Sequence, residues 1–263
     1  MNKSEFFETG WCQFKYDANL AHWVSQVLPH ARKAIAAPEN SQWLRCGGTW
    51  HAGVHVLPNR NDGSVGSSAK LQARVVSFIH QSLGFEVLEW DRAQVSVCYP
   101  GYPQPMERES EAAFVYRRDR DAAHVDGLLP EGPNRRRHLR EYHGFILGIP
   151  LVEYSKTASP FVVWQGSHEI VRQTFVRAFE GLAVSEWGEL DVTEVYHEAR
   201  RQIFQSCARV EIQAKPGQAY LVHRLALHGI APWQPGADAS EDGRMVCYFR
   251  PETGGAEEWL YRP

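Results

Sequence analysis

Apolar residues in the N-terminal third of the chain recur with the spacing of amphipathic helices. In 17–36 and in 67–84 they lie three and four positions apart, so each stretch predicts a helix with one buried face. Pro29 interrupts the first stretch, and we expect that helix to end or kink there. Gly84 is positioned to cap the second helix. The intervening stretch 45–66 is rich in turn residues and predicts irregular structure or a hairpin.

Beyond residue 90 the pattern changes to short runs rich in Val, Tyr, Phe and Ile, separated by Gly, Pro and charged turns. Runs of this kind predict strands. They lie at 93–100, 112–127, 142–154, 160–166, 208–214, 218–230 and 244–251. Helical spacing returns near 169–182 and 191–207, where Asp191 as N-cap and Glu194 three positions later resemble a capping box.

The order of these elements predicts the fold class. Strands predominate and do not alternate with helices, which favours two packed antiparallel sheets over a parallel one. We therefore expect a mainly β protein, a double-stranded β-helix (a cupin-like jelly-roll barrel) buttressed by N-terminal helices. The whole chain, 1–263, would be a single domain. Its parts would be a helical buttress at 1–90, a barrel core at 91–251 with a helical insertion at 169–207, and a tail at 252–263.

Composition limits the classes of function. With 43% hydrophobic and 22% charged residues among 263, the chain has enough apolar side chains for a sizeable core. The net charge of −3 gives no general attraction to nucleic acid or to an anionic membrane, so neither is an expected partner. The longest apolar run, near 144–152, is far shorter than the roughly 20 residues of a membrane helix.

The cysteines and the N-terminus indicate a compartment. Five cysteines are scattered along the chain with no C-x-x-C pair, which argues against a disulfide framework and against a thiolate zinc site. The first residues lack the apolar core of a signal peptide. We expect a cytoplasmic protein with reduced cysteines.

The first candidate chemistry lies in AAHVDG, where His124 and Asp126 are two residues apart. On a strand, side chains at positions i and i+2 point to the same face, so an imidazole and a carboxylate would project together as two metal ligands. Such a pair is common by chance. Alone it is equally compatible with a structural role, in which the carboxylate accepts a hydrogen bond.

A third ligand is expected from the stretch 218–230, which contains two histidines. His223 and His228 are five residues apart, so on one extended strand they would face opposite sides. His228 is favoured because it lies at the end of the predicted strand, beside Gly229, where a barrel mouth would form. Two imidazoles and one carboxylate on one side of a metal make the facial triad of non-haem Fe(II) oxygenases.

Arg244 follows His228 by sixteen residues, at the start of the last predicted strand. A planar guanidinium at the end of a narrow pocket is suited to bind a carboxylate through two hydrogen bonds. Arg250 is the alternative for that role, and pairing of Arg244 with a surface acid is the alternative without a ligand.

These motifs, in this order, resemble the phytanoyl-CoA dioxygenase-like family of Fe(II)/2-oxoglutarate-dependent oxygenases. The segments that carry the resemblance are His124-x-Asp126, WQGSH at 164–168, KPGQAYLVHRLALHG at 215–229, and Arg244. The resemblance covers roughly residues 92–251. The chain departs from the family pattern in the loop 234–242, in Gln165 where a proline is often found, and in Val246 where a hydroxyl residue is often found.

The resemblance implies that His124, Asp126 and His228 bind Fe(II) and that Arg244 holds the distal carboxylate of 2-oxoglutarate. It implies a dioxygenase that uses molecular oxygen to hydroxylate a small-molecule substrate while 2-oxoglutarate is decarboxylated to succinate. Halogenating relatives carry a small residue where this chain has Asp126, so hydroxylation is the implied outcome.

Other residues are candidates for the substrate. Trp164 and His168 would line a pocket, although core packing or a hydrogen-bonded loop histidine would also account for them. The basic run NRRRHLR at 134–140 is either a solvated loop or the rim of a mouth that attracts an anionic substrate.

Two other functions stay open at this point. One is a cupin-like metalloenzyme that does not use 2-oxoglutarate and has no need of Arg244. The other is a non-catalytic binding barrel, against which the complete ligand set argues. The sequence reveals neither the substrate nor the oligomeric state.

Overall fold

The strands of this computed structural model, which describes residues 3–252 and 254–263, form two main antiparallel sheets and a separate hairpin. The strands are β1 (Trp11–Phe14), β2 (Leu44–Arg45), β3 (Trp50–His51), β4 (Gln94–Cys98), β5 (Leu128–Glu131), β6 (Arg136–Leu139), β7 (Phe145–Pro150), β8 (Phe161–Trp164), β9 (Arg209–Ile212), β10 (Ala219–His223), β11 (His228–Ile230) and β12 (Arg244–Phe249). The larger sheet has the order β1-β10-β7-β12-β4-β3-β2, the smaller has the order β11-β8-β9, and β5 pairs with β6.

The chain passes back and forth between the two main sheets. After β4 in the larger sheet, His124 bridges to His228 at the edge of the smaller sheet. The chain then enters β7 in the larger sheet, β8 and β9 in the smaller, β10 in the larger, β11 in the smaller and β12 in the larger. This connectivity is that of a jelly roll. The expected double-stranded β-helix is confirmed.

The larger sheet is buried on both faces. Its inner side chains, such as Tyr220 and Tyr248, pack against Phe161 of the smaller sheet. Its outer side chains, such as Phe249, pack with Trp23 and the other apolar residues of the N-terminal helices. A sheet covered on both faces needs apolar residues on both, which is why the alternation in its strands is incomplete.

Seven α-helices lie in the described part of the chain. They are α1 (Lys3–Thr9), α2 (Ala18–Ala36), α3 (Arg74–Leu83), α4 (Glu111–Asp119), α5 (Ser167–Ala178), α6 (Thr193–Ser206) and α7 (Ala256–Tyr261), with 3₁₀ turns at Pro38–Trp43 and Val184–Glu189. Within that part, no helix combines the length and the apolar character needed to cross a membrane. Helix α3 ends at Gly84 in the left-handed conformation, as expected.

Helix α2 continues through Pro29, where we expected an end or a kink. Proline removes one backbone hydrogen bond, and here its side chain lies on the exposed face of the helix, where solvent can reach the freed carbonyl. The buried face, which includes Trp23 and Val27, holds the helix against the sheet. The N-terminal third is also not purely helical, because β1, β2 and β3 extend the larger sheet at both edges.

The predicted strand 112–127 is wrong over its first half, which forms α4. The helix signals are local: the Ser110 hydroxyl accepts from the backbone N–H of Ala113, and arginines occupy the last turn. The phenylalanine, valine and tyrosine in this stretch favour a strand but do not decide between the two. In the second half, His124 forms a single bridge rather than part of a regular strand.

The predicted continuous strand 218–230 is also wrong, because it breaks into β10 and β11 in different sheets. The backbone N–H of Ala226 donates to the His223 carbonyl at 2.8 Å and closes a turn. The buried guanidinium of Arg224 donates to the Trp259 carbonyl in α7 and secures that turn.

The capping box predicted at Asp191 does not form. Helix α6 begins at Thr193, whose backbone N–H donates to the carboxylate of Asp191, while Glu194 pairs with Arg136. Asp191 therefore caps the helix from the residue before the N-cap position, which is Val192. Glu194 forms an ion pair with the β5–β6 hairpin and does not close a capping box.

Gly229 provides a test of the junction between β11 and the His124 segment. A Cβ atom there would lie 2.1 Å from the backbone carbonyl oxygen of Asp121. Gly229→Ala should therefore lower the free energy of unfolding by about 1–3 kcal/mol, measured by urea denaturation. Gly254→Ala is the control, because its Cβ would meet only the end of the flexible Glu258 side chain, and its effect should stay within about 0.5 kcal/mol. Equal effects would contradict the close packing at Gly229.

Candidate metal centre

Three potential metal ligands meet at the edge of the smaller sheet. The ligand atoms of His124, Asp126 and His228 all lie within 4.8 Å of one another. Nε2 of His124 is 3.2 Å and Nε2 of His228 is 3.7 Å from Oδ1 of Asp126. The two histidines exchange backbone hydrogen bonds of 2.8 and 3.0 Å. Residues paired in this way have side chains on the same face, so the fold itself brings the two imidazoles together.

The hydrogen bonds of each imidazole define which nitrogen is free. Nδ1 of His124 lies 2.9 Å from the Ala122 carbonyl, and Nδ1 of His228 lies 2.9 Å from the Ala226 carbonyl. A carbonyl only accepts, so Nδ1 carries a proton in both rings, and in the neutral form of each ring Nε2 presents a lone pair. Burial lowers the pKa of His228 and favours its neutral form. The Phe161 ring stacks on that imidazole at 5.5 Å.

Asp126 is held by an arginine that sequence reasoning considered only for another role. Nε of Arg250 lies 2.9 Å from Oδ2 of Asp126, in an ion pair whose angle falls outside hydrogen-bond geometry. Arg250 also donates to Oε1 of Gln94, whose amide nitrogen donates to the Ala52 carbonyl at 2.6 Å. This chain of contacts fixes Oδ2, so that Oδ1 faces the two imidazoles.

Charge keeps the Asp126 carboxylate ionised. Burial by itself raises the pKa of this carboxyl. The adjacent Arg250 guanidinium lowers it, and the pKa falls well below its ordinary value. The carboxylate is therefore a negatively charged ligand over the whole physiological pH range.

The donor set fits a divalent transition metal. Two neutral imidazole nitrogens and one carboxylate oxygen converge from one side, which leaves the opposite side open, as in the facial triad of non-haem Fe(II) enzymes. When both rings are neutral with Nδ1 protonated, the three converging atoms are all acceptors. Acceptors at such distances repel one another unless a cation lies among them.

A cavity of about 240 Å³ opens beside the three ligands. Its lining combines the apolar and aromatic residues Trp50, Phe161 and Ile230 with the polar residues Ser96 and Tyr248. A wider cleft lies beside α3, but the described residues bring no second group of three metal-ligating side chains together there or elsewhere. The cavity beside the ligands is therefore the candidate functional site.

Arg244 is fully buried inside the barrel and has no acidic partner among the described residues. Its Nη2 donates to the Tyr248 hydroxyl at 2.8 Å, and its Nε and Nη1 have no hydrogen-bond partner. Tyr248 lines the cavity whereas Arg244 lies behind it. A buried guanidinium with two free nitrogens is costly unless an anion binds it.

The structure places the two substrate candidates away from the cavity. His168 lies beneath α1, where its Nε2 bonds to the Phe7 carbonyl at 2.9 Å. Trp164 is buried and packs against Phe204 with ring centroids 5.3 Å apart. Neither is among the described residues that line the cavity. Both side chains contribute to the packing of helices, which is the alternative to a substrate contact that the sequence left open for each.

The second histidine of the 218–230 stretch and the basic run 134–140 are also elsewhere. The His223 ring lies 4.9 Å from the His168 ring, next to Arg172. In the basic run, Arg136 pairs with Asp191 and Glu194, and Arg140 pairs with Glu131 and Glu189. Two of the four arginines in the run are thus compensated by carboxylates near the β5–β6 hairpin, and no residue of the run lines the cavity.

The fold and the cluster together define a jelly-roll protein with a His-x-Asp…His centre. A comparison with protein-family models found no match, and a comparison with curated proteins found none either. Among solved structures, the non-heme alpha ketoglutarate dependent carbocyclase SnoK from nogalamycin biosynthesis is similar, with a TM-score of 0.46 and 13% identity over 97% of this chain and 87% of that one.

Two further solved structures show a similar level of likeness. EctD from S. alaskensis with bound Fe has a TM-score of 0.47 and 14% identity, over 98% of this chain and 81% of that one. The non-heme alpha ketoglutarate dependent epimerase SnoN from nogalamycin biosynthesis has a TM-score of 0.46 and 11% identity, over 94% and 79%. The jelly-roll architecture of this chain follows from its own strand order.

The ion pair between Arg250 and Asp126 generates a stability prediction. Arg250→Met leaves a buried carboxylate without its cation, which should lower the free energy of unfolding by about 3 kcal/mol in metal-free buffer, measured by urea denaturation. Arg45→Met is the matched control, because Arg45 lines the same cavity without an ion pair to any described carboxylate. Its effect should be within about 0.5 kcal/mol. A small effect of Arg250→Met would mean that the ion pair contributes little.

Proposed function

We propose that this protein is an Fe(II)- and 2-oxoglutarate-dependent dioxygenase that hydroxylates a small-molecule substrate and converts 2-oxoglutarate to succinate and CO2. The observation that carries the proposal is the convergence of three acceptor atoms, from His124, Asp126 and His228, beside an open cavity. Such a centre needs a cation, and its open side leaves room for co-substrate and oxygen.

The three side chains would hold the iron, and their neighbours would hold the three side chains. The carbonyls of Ala122 and Ala226 fix the two imidazole rings through Nδ1. Iron with 2-oxoglutarate and oxygen supplies the oxidising power for hydroxylation of a carbon–hydrogen bond. The chain's part is to present one carboxylate oxygen and two nitrogens, to keep the remaining positions open, and to exclude water with walls such as Phe161.

Arg244 would bind the distal carboxylate of 2-oxoglutarate. It is the buried guanidinium with two nitrogens free, and the Tyr248 hydroxyl that it contacts lines the cavity. A carboxylate that reaches Nε and Nη1 would gain charge-assisted hydrogen bonds and neutralise the buried cation. The chain therefore offers an anion site just behind the cavity wall.

The two other functions fit the structure less well. A cupin-like metalloenzyme without 2-oxoglutarate gives no reason for a buried guanidinium that lacks a counter-ion. A non-catalytic barrel gives no reason for Nδ1–carbonyl bonds that turn both Nε2 lone pairs toward one carboxylate oxygen. Asp126 supports hydroxylation, since it fills the position that a halide ligand would need.

His228 tests the metal centre. Wild-type protein titrated anaerobically with Fe(II) and 2-oxoglutarate should develop the weak visible charge-transfer band of the chelate. His228→Ala removes one of three ligands and should abolish the band, and should weaken Mn(II) binding at least tenfold by calorimetry. His22→Ala, at an exposed position in α2, is the control and should behave as wild type. No band in the wild type would contradict the proposal.

Arg244 tests the use of 2-oxoglutarate separately from the metal. Arg244→Met removes charge-assisted hydrogen bonds worth about 1.5–3 kcal/mol, so the affinity for 2-oxoglutarate should fall about 10- to 100-fold. Mn(II) affinity, measured in the same preparation, should not change. Succinate formation without added substrate should fall together with the affinity for 2-oxoglutarate. An unchanged affinity for 2-oxoglutarate would favour the cupin-like alternative.

A further inference from the structure

The charges that line the cavity do not cancel. Asp126 is the carboxylate among the described lining residues, and Arg250 pairs with it at 2.9 Å. Arg45 also lines the cavity and makes no ion pair with a described carboxylate. Its guanidinium instead lies over the Trp43 ring at 5.1 Å. The cavity therefore carries one uncompensated positive charge before any metal binds.

Strand register relates Arg45 to Arg244. Arg45 pairs with Trp50, Trp50 pairs with Cys98, and Cys98 pairs with Arg244, on four adjacent strands of the larger sheet. Paired residues share a face, so these four form a row across the inner side of the sheet. Neighbouring strands are about 4.8 Å apart, which separates the two arginine backbones by about 14 Å. The row thus has a guanidinium at each end, Arg244 buried and Arg45 exposed.

Between the exposed arginine and the metal ligands the wall is mostly apolar. The Trp50 indole is fixed by its Nε1, which donates to the Ser96 hydroxyl at 3.1 Å, and it packs against Tyr102. Val54 and Ile230 add apolar surface. The amide of Gln94 is already used on both sides, by Arg250 and by the Ala52 carbonyl. An apolar molecular body fits this wall better than a polar one.

We infer that the substrate is a small anion with an apolar body, whose acid group binds Arg45 and whose body lies against Trp50 and reaches the metal centre. This inference rests on the proposed function, because there Arg244 and the iron are assigned to 2-oxoglutarate, which leaves Arg45 for the substrate. Arg136 and Arg140 of the run 134–140, which the sequence offered for an anion, are paired with carboxylates of the chain, and no residue of that run lines the cavity. Recognition by one guanidinium suits a carboxylate.

A matched pair of probes tests the inference on the full chain. Protein loaded with Mn(II) and 2-oxoglutarate is titrated with 3-phenylpropionate or with 3-phenylpropanol, which lacks the charge. Ligand-observed NMR gives the affinity, and relaxation of the probe protons by Mn(II) reports their proximity to the metal. The acid should bind at least tenfold tighter than the alcohol, and its aliphatic protons should be relaxed by Mn(II).

Arg45→Gln then isolates the acid group. It should reduce affinity for the acid about tenfold and leave that for the alcohol, for Mn(II) and for 2-oxoglutarate unchanged. Arg32→Gln is the control, since Arg32 is an exposed arginine that pairs with Asp242 in another part of the surface. It should change none of the four affinities.

The outcomes that overturn the inference differ from those that overturn the proposed function. Equal affinity of wild type for acid and alcohol, or no selective loss in Arg45→Gln, would overturn the role of Arg45 alone. So would a fall in 2-oxoglutarate affinity in Arg45→Gln, because Arg45 would then serve the co-substrate. A wild type that binds neither Mn(II) nor 2-oxoglutarate would overturn the proposed function and the inference together.

Discussion

Two backbone hydrogen bonds between His124 and His228 are the constraint on which the candidate site depends. They join an otherwise irregular segment to β11 and set the distance between two imidazoles that are about a hundred residues apart in the chain. The junction is supported from behind, where the Asp121 carbonyl accepts from Ile230 and the Asp121 side chain is held by Arg209 through bonds of 2.7 and 2.9 Å. The two imidazoles are therefore positioned by backbone pairing to the sheet, while Asp126 lies in the turn that follows and is held by Arg250.

Strand β12 connects the site to the core. Arg244 and Tyr248 share one face of it, four residues apart, and Arg250 follows directly after its last residue. The alternate residues, including Phe249, lie under the N-terminal helices. This strand and the residue that follows it thus present a buried guanidinium, a hydroxyl on the cavity wall and the cation that holds Asp126. The helices that pack on its outer face hold the strand in place.

The sequence allowed the jelly roll and the three converging residues to be predicted, because their information lies in local runs and in the order of short motifs. The helix at 111–119 was missed because its apolar residues suit either element, and only the cap at Ser110 decides. The ion pair of Arg250 with Asp126 joins positions more than a hundred residues apart and leaves no periodic signal. The burial of His168 likewise depends on α1, which no motif connects to it.

A purely structural role for the His-x-Asp pair, in which the carboxylate accepts a hydrogen bond, accounts for only one of the two oxygens of Asp126. It explains Oδ2 of Asp126, which Arg250 neutralises. It does not explain Oδ1, which faces two imidazole nitrogens whose ring protons are committed to carbonyls on the other side. An extra proton on one ring would relieve the repulsion, but burial lowers the pKa of His228 and opposes it there. A divalent cation satisfies all three acceptors at once, and the chain leaves space for it on the side that opens to the cavity.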